Sequence, residues 1–266
     1  MPEPPFYETA GLPFIELSSV DSTNNYALTQ IHEGLAQHGM SFFAHEQVAG
    51  KGQRNKSWIT EKGTSLIISI VVNPFPLQLT QQFQLSACVA VSACEFFNNY
   101  AGNETRIKWP NDLYWHDRKA GGILIENVIG SGKNGTNGTS VWRWAVVGIG
   151  ININQVAFPA ELKNPISLKQ ITGKEFNTVH LAKEFCTVFH KNFQQLVSSG
   201  FDDIYQSYTS RLYKKDQIVK LKQGSRLFNA AIKTVTPAGR LVIQHAVEEE
   251  FDFGSVEWVI PSVSPK

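Results

Sequence analysis

RIKWPNDLYWHDRKAGGILIENVIGSGKNGTNGTSVWRWAVVGIGINI, residues 106–153, contains three strand-like runs, RIKW, AGGILIENV and VWRWAVVGIGINI. Each is short, rich in β-branched and aromatic residues, and apolar enough to read as a buried strand. GSGKNGTNGTS joins the last two, a composition typical of an exposed flexible hairpin. No capped helix follows GIGIN, so that run reads as a buried strand and not as a dinucleotide fingerprint, which would need glycine where Ile153 stands.

Upstream, FIELSSV, SFFAHEQ and SLIISIVV read as further strands, and Asp21 or Ser22 can cap a helix through STNNYALTQIHEGLAQ that ends near Gly39. Phe83, Ala87, Ala90, Cys94 and Phe97 recur at helical spacing over 82–100, and Leu181, Phe185, Val188, Asn192 and Leu196 mark a second long helix. From about Asp216 the texture changes to short strands broken by turns (QIVKLKQGS, RLFNAAIKTV, TPAG, RLVIQHAV, FDFGSVEWVI), the pattern of a small antiparallel barrel. The expected architecture is an α+β core with an all-β cap: a loose arm at 1–13, a main domain at 14–213 and a small domain at 214–266.

Of the 266 residues 42% are hydrophobic and 18% charged, with a net charge of +1, so no global charge steers the chain to nucleic acid or an anionic membrane. The runs at 66–72 and 144–151 fall far short of the roughly 20 residues that span a bilayer. The acidic, proline-bearing start does not read as a signal peptide, and three sparse cysteines, Cys88, Cys94 and Cys186, suit a reducing compartment, so the expected location is cytoplasmic. On that reading the Asn-x-Thr triplets at Asn103, Asn134 and Asn137 are not glycosylated.

Three segments carry candidate chemistry. EQVAGKGQRNKSW, 46–58, sets Gly50 and Gly52 around Lys51 ahead of Arg54 and Lys56, a loop able to close over an anion; by composition it reads equally as a solvated basic surface. No Walker A pattern occurs, so bound ATP would need another device. In KWPNDLYWHDRKAGGILIE, 108–126, Lys119 precedes Gly121 and Gly122, small residues that let a ligand approach a strand. The third is GIGININ, 148–154.

In order along the chain, Ser22-Thr23-Asn24, Gln47 with Gly50-Lys51-Gly52, KWPND with Lys-x-Gly-Gly-Ile-Leu, and GIGIN together resemble the biotin protein ligase family, and FxFGSVxW fits its SH3-like C-terminal domain. The resemblance implies a mixed-sheet core with flanking helices, of the class II synthetase-like kind, and an enzyme that makes biotinyl-AMP from biotin and ATP, with Mg2+, then biotinylates a lysine of a biotin carboxyl carrier protein. It places Ser22, Thr23, Asn24, Gln47, Gly50, Lys51, Gly52, Gly122, Ile123, Leu124 and Gly148 around biotin. Around ATP or the adenylate it places Gln53, Arg54, Lys56, Trp58, Asn111, Lys119 and Asn152, with Lys119 and Asp112 catalytic. Many members carry arginine where Lys51 and Gln53 stand, and often glycine in a turn where Thr234 stands. Rival readings are a lipoate or octanoate ligase or transferase, and a biotin-sensing transcription regulator, for which residues 1–13 are too few to form a winged helix. Specific DNA binding is not expected, and homodimerisation is left open.

Overall fold

A computed structural model describes residues 13–131 and 140–259. Most of the expected arm, the hairpin tip with Asn134 and Asn137, and the last residues lie outside them.

Seven strands form the main sheet: β1 (Phe14–Leu17), β2 (Ser41–Ala44), β3 (Ser65–Val72), β4 (Thr105–Lys108), β5 (Asp112–Trp115), β6 (Arg118–Ser131) and β7 (Ser140–Asn152). Their order is β1-β2-β3-β7-β6-β5-β4, with β1 and β2 parallel and every other pair antiparallel, so the sheet is mixed. Helices α1 (Thr23–His32), α2 (Gln82–Ala101), α3 (Leu168–Thr172), α4 (Thr178–Ser199) and α5 (Asp202–Ser210) flank it.

Strand periodicity divides the sheet into two functional faces. On one face Leu66, Ile68, Ile70 and Val72 of β3, Val147, Ile149 and Ile151 of β7 and Ile123 of β6 join Leu85, Phe96, Phe97, Phe185 and Phe189 of α2 and α4 in the main core. On the other face α1 covers only one end, where Ala27 packs with Phe42, Val71 and Val146. Beyond that end the same face presents small or polar residues, Ser69, Gly148, Gly150, Asn152 and Gly122, with Leu124, which leaves a concavity in place of a second core.

A second sheet, β8 (Ile218–Gln223), β9 (Arg226–Val235), β10 (Leu241–Gln244), β11 (Glu248–Phe251) and β12 (Glu257–Trp258), is antiparallel throughout in the order β11-β10-β9-β8-β12, which fits an SH3-like domain. It is fastened to the main domain: Trp109 Nε1 donates to the Gly239 carbonyl at 2.9 Å and Tyr205 Oη to the Val235 carbonyl at 2.7 Å. Leu221, Ile232 and Leu241 belong to the main core.

Several elements differ from expectation. The first helix ends at His32, because Gly34 adopts φ +73° and turns the chain away. DLYW, not among the expected strands, forms β5, paired with β4 and β6. Helices α3 and α5, five and nine residues long, are not among the expected helices, being too short for a helical period to stand out. Within FDFGSVEWVI a turn separates Phe251, the last residue of β11, from β12, and Thr234 lies inside β9 beside a bulge where Val242 pairs with Thr234 and Ile243 with Ile232.

Candidate active site

The concavity holds a cavity of about 900 Å³. Its floor is three adjacent strands in register: Gly150 sits between Ile67 and Gly122, and Gly148 between Ser69 and Leu124. Glycine is required by close approach at two of these positions. A Cβ on Gly148 would enter the Asn24 carboxamide, and one on Gly150 would lie 2.5 Å from Cε2 of the Trp58 indole.

At the α1 end a largely buried polar relay walls the cavity. The Gln47 side-chain oxygen accepts from the Thr23 amide at 2.8 Å and the Thr23 hydroxyl at 3.1 Å. The Ser69 hydroxyl lies 2.7 Å from that of Thr23 and donates to Asn24 Oδ1 at 2.6 Å. Asn24 Nδ2 donates to Glu126 Oε2 at 2.7 Å and the Leu124 carbonyl at 3.3 Å, and Glu126 pairs with Lys51 Nζ at 3.5 Å. Donors and acceptors in a desolvated pocket of this kind suit a neutral polar head group.

Four residues further along β7, roughly 13 Å at strand spacing, the character changes to cationic. Lys119 Nζ lies 2.6 Å from Asp112 Oδ1, and Lys108 Nζ 3.7 Å from Asp112 Oδ2. Burial pushes the Lys108 ammonium below its ordinary pKa; Asp112 opposes that shift, while Lys119 and Lys56 add to it. Asp112 is shared by two lysines, and Lys56 acts on Lys108 as a further cation, so the cluster around that carboxylate is locally rich in positive charge, the condition of a site that receives an anion. The Lys119 backbone is fixed from outside, donating to the Asn164 carbonyl at 2.7 Å and accepting from the Ile166 amide at 2.9 Å.

Residues 48–63 form the lid over this floor. It closes on itself, with the Gly52 amide donating to the Lys56 carbonyl at 2.6 Å and the Trp58 amide to the Gly50 carbonyl at 2.8 Å, and lays the Trp58 indole against Gly150. Trp58 Nε1 is buried with no hydrogen-bond partner among the described residues. Arg54, at φ +56°, reaches the second sheet, its guanidinium 5.1 Å from the centre of the Phe253 ring.

Every residue that the resemblance singles out lines the cavity except Gly50, which backs onto Gln47 and the Trp58 carbonyl. Their geometry separates them. Asn111 Nδ2 donates to the Ile123 carbonyl at 2.5 Å, and Asn152 Nδ2 to the Ile166 carbonyl at 3.1 Å, so both amides brace backbone. Lys51 is engaged at the head-pocket end and not with the cationic cluster. Ser69, Lys108, Glu126 and Trp258 were missed. Ser69 among the apolar residues of SLIISIVV and the lone lysine ending RIK were visible signals; Trp258 closes the FxFGSVxW motif, but nothing in the sequence ties it to this cavity.

Residues 16–144 match the biotin/lipoate A/B protein ligase family. The bifunctional ligase/repressor BirA of Bacillus spizizenii is 31% identical over 208 residues, covering 76% of this chain and 61% of that protein. The biotin--[acetyl-CoA-carboxylase] ligase of Paracoccus denitrificans is 26% identical, covering 86% and 92% of the two chains. The Aquifex aeolicus biotin protein ligase, solved with biotin and ATP, superposes with a TM-score of 0.74 at 24% identity over 93% of this chain and 98% of that one, a likeness of fold. The chain spans 61% and 52% of the lengths of two Bacillus relatives. No helix among the described residues is long and apolar enough to cross a membrane. Motif order, mixed sheet and glycine-floored cavity agree with these matches: residues 16–144 carry a domain of the biotin/lipoate A/B protein ligase type.

Proposed function

We propose that the protein is an ATP-dependent biotin protein ligase that forms biotinyl-5'-AMP and transfers biotin to a lysine of a biotin carboxyl carrier protein. The observation that carries this reading is the polarity of one continuous cavity, with the uncharged polar side chains of Thr23, Asn24, Gln47 and Ser69 at one end, backed by the Glu126–Lys51 pair, and a lysine cluster at the other. Biotin has the matching asymmetry: a cyclic urea able to use Thr23 and Gln47, an apolar stem to lie over Gly148 and Leu124, and a carboxylate directed toward Lys119. The dithiolane of lipoate offers nothing to the relay, which favours biotin over the lipoate reading.

In the first step a carboxylate oxygen attacks the α-phosphorus and pyrophosphate departs. Two anions must approach, and Lys119, with Lys56 and Lys108 behind it, offsets their repulsion most strongly in the transition state. Lys119 exchanges Asp112 for the reacting oxygens. Magnesium is the expected counter-ion of the triphosphate. Among the described residues no cluster of three acidic, His or Cys side chains could hold a metal, so the fit is to an ion carried mainly by phosphate and water, with Asp112 the nearest protein carboxylate to the lysines. In the second step the acceptor amine attacks the mixed anhydride, Asp112 orients that amine, and the lid with Trp58 excludes water that would hydrolyse the intermediate.

The test is incubation with ATP, Mg2+ and either biotin or lipoate, following the adenylate and pyrophosphate. Biotin should turn over faster; faster turnover of lipoate overturns the reading.

A further inference from the structure

Lys108, the last residue of β4, is 9% exposed, and its ammonium lies 5.4 Å from the centre of the Tyr114 ring and 5.3 Å from that of Trp258. Tyr114 comes from β5 and Trp258 from β12 of the second sheet; Tyr213 backs both rings, at 4.9 and 5.7 Å. An apolar side chain would fill this box without desolvating a charge, so packing does not account for a lysine. What the lysine adds is a cation 3.7 Å from Asp112, on the carboxylate oxygen opposite the one that receives Lys119. That second oxygen therefore already seats a primary ammonium, the group that an acceptor lysine presents.

We propose that Lys108 is a positioning residue for the transfer step: fixed between Tyr114 and Trp258, it keeps a positive charge beside Asp112, so that an acceptor lysine replacing Lys119 on that carboxylate gives up its proton more readily. This rests on the ligase reading above. A neighbouring cation disfavours the charged form of an amine. The acceptor ammonium loses one proton through Asp112 to solvent, and its lone pair attacks the acyl carbon. The N–C bond forms while the C–O bond to phosphate breaks, the electron pair leaving with AMP. Loss of the second proton from nitrogen completes the amide.

The charged and titratable groups facing Lys108 are few. They are Asp112 on β5, Lys119 on β6, Lys56 of the lid, and the phenols of Tyr114 and Tyr213, which burial pushes well above their ordinary range. Behind Tyr213 stands Asp117, paired with Lys214 at 2.7 Å, and Glu257 lines the cavity beside Trp258. Through Trp258 the second sheet takes part in transfer.

The test loads the enzyme with biotinyl-AMP and follows single-turnover transfer to a biotin carboxyl carrier domain across pH, in wild type, Lys108→Met, Lys108→Arg and Trp258→Leu. Two unit charges roughly 6 Å apart at an effective dielectric of about 20 perturb a pKa by about one to two units. Lys108→Met should therefore transfer about 10- to 100-fold more slowly near neutral pH and recover as pH rises, its profile displaced upward by that interval, with adenylate formation reduced less. Lys108→Arg should restore the wild-type profile, and Trp258→Leu should fall between. An unshifted profile in Lys108→Met, or failure of arginine to rescue it, overturns the proposal. Wild type that forms no adenylate or transfers none overturns the ligase reading instead.

Discussion

Replacing Gly150 with alanine tests whether the lid closes on the sheet as the geometry requires. The added Cβ would lie 2.5 Å from Trp58 Cε2 and 2.8 Å from Cζ2 and Nε1, where carbon contacts settle at roughly 3.5–4.0 Å. The strand cannot yield: Gly150 is paired on both sides, with Ile67 and Gly122, and its neighbours Ile149 and Ile151 are in the core. The indole must therefore retreat by about 1 Å, and overpacking of this kind costs about 1–3 kcal/mol. On the proposed lid role that penalty falls on closure and not on folding, lowering the closed population by roughly 5- to 150-fold while Tm shifts by under about 3 °C. In one reaction, released biotinyl-AMP and labelled carrier are measured together, and the ratio of free adenylate to labelled carrier should rise. Gly148→Ala provides the contrast. Its Cβ meets Asn24, held by Ser69, Leu124 and Glu126, so biotin affinity should fall while each adenylate formed is still delivered. A Gly150→Ala enzyme with wild-type coupling and normal biotin affinity would refute the placement of Trp58 in the closed lid.

Lys119→Ala should slow adenylate formation by on the order of a hundredfold or more, with a smaller effect on biotin binding, as single-turnover kinetics and a binding titration will show. Arg54→Ala and Phe253→Ala should each speed adenylate dissociation, and the double variant should match either single one, since the two residues make one contact; additive effects in the off-rates would separate them. Burial pushes the His38 imidazole down to about 4, with His190 adding to the effect, and burial alone does the same to His190. Both folded values lie below the unfolded one near 6.5, so the unfolded chain binds more protons between them, and stability present above about pH 6.5 is lost as pH falls toward about 4. Thermal melts across that range should show the decline, shallower in His190→Gln; identical slopes would discount these histidines.

Long elements of uniform character were legible in sequence: SLIISIVV matches β3, and the stripe from Leu181 to Leu196 lies within α4. Their period and burial are written in consecutive residues. DLYW was not legible, because Asp112 and Trp115 break its alternation, and the pairing with β4 and β6 that makes it a strand is tertiary. Motif order brought the glycines, Gln47 and Lys119 to one cavity, yet it could not assign partners. Lys51 looks like a phosphate ligand in GKGQR, and only the fold brings Glu126, on a strand far along the chain, to meet it. For the same reason Lys108, set between Ile107 and Trp109, becomes interpretable only when Trp258 is placed over it.

The hydrogen-bonded series from Gln47 through Thr23, Ser69, Asn24 and Glu126 to Lys51 joins the floor of the head pocket to the lid. Two sites connected in this way obey reciprocity: whatever free energy a bound head group contributes to lid closure, closure returns to head-group affinity in equal measure. On the proposed function, lid closure and head-group capture are then opposite readings of one coupling constant, so a variant that loosens Lys51 and favours the open lid should also bind biotin more weakly at equilibrium, an effect carried by a handful of polar side chains that wall the pocket.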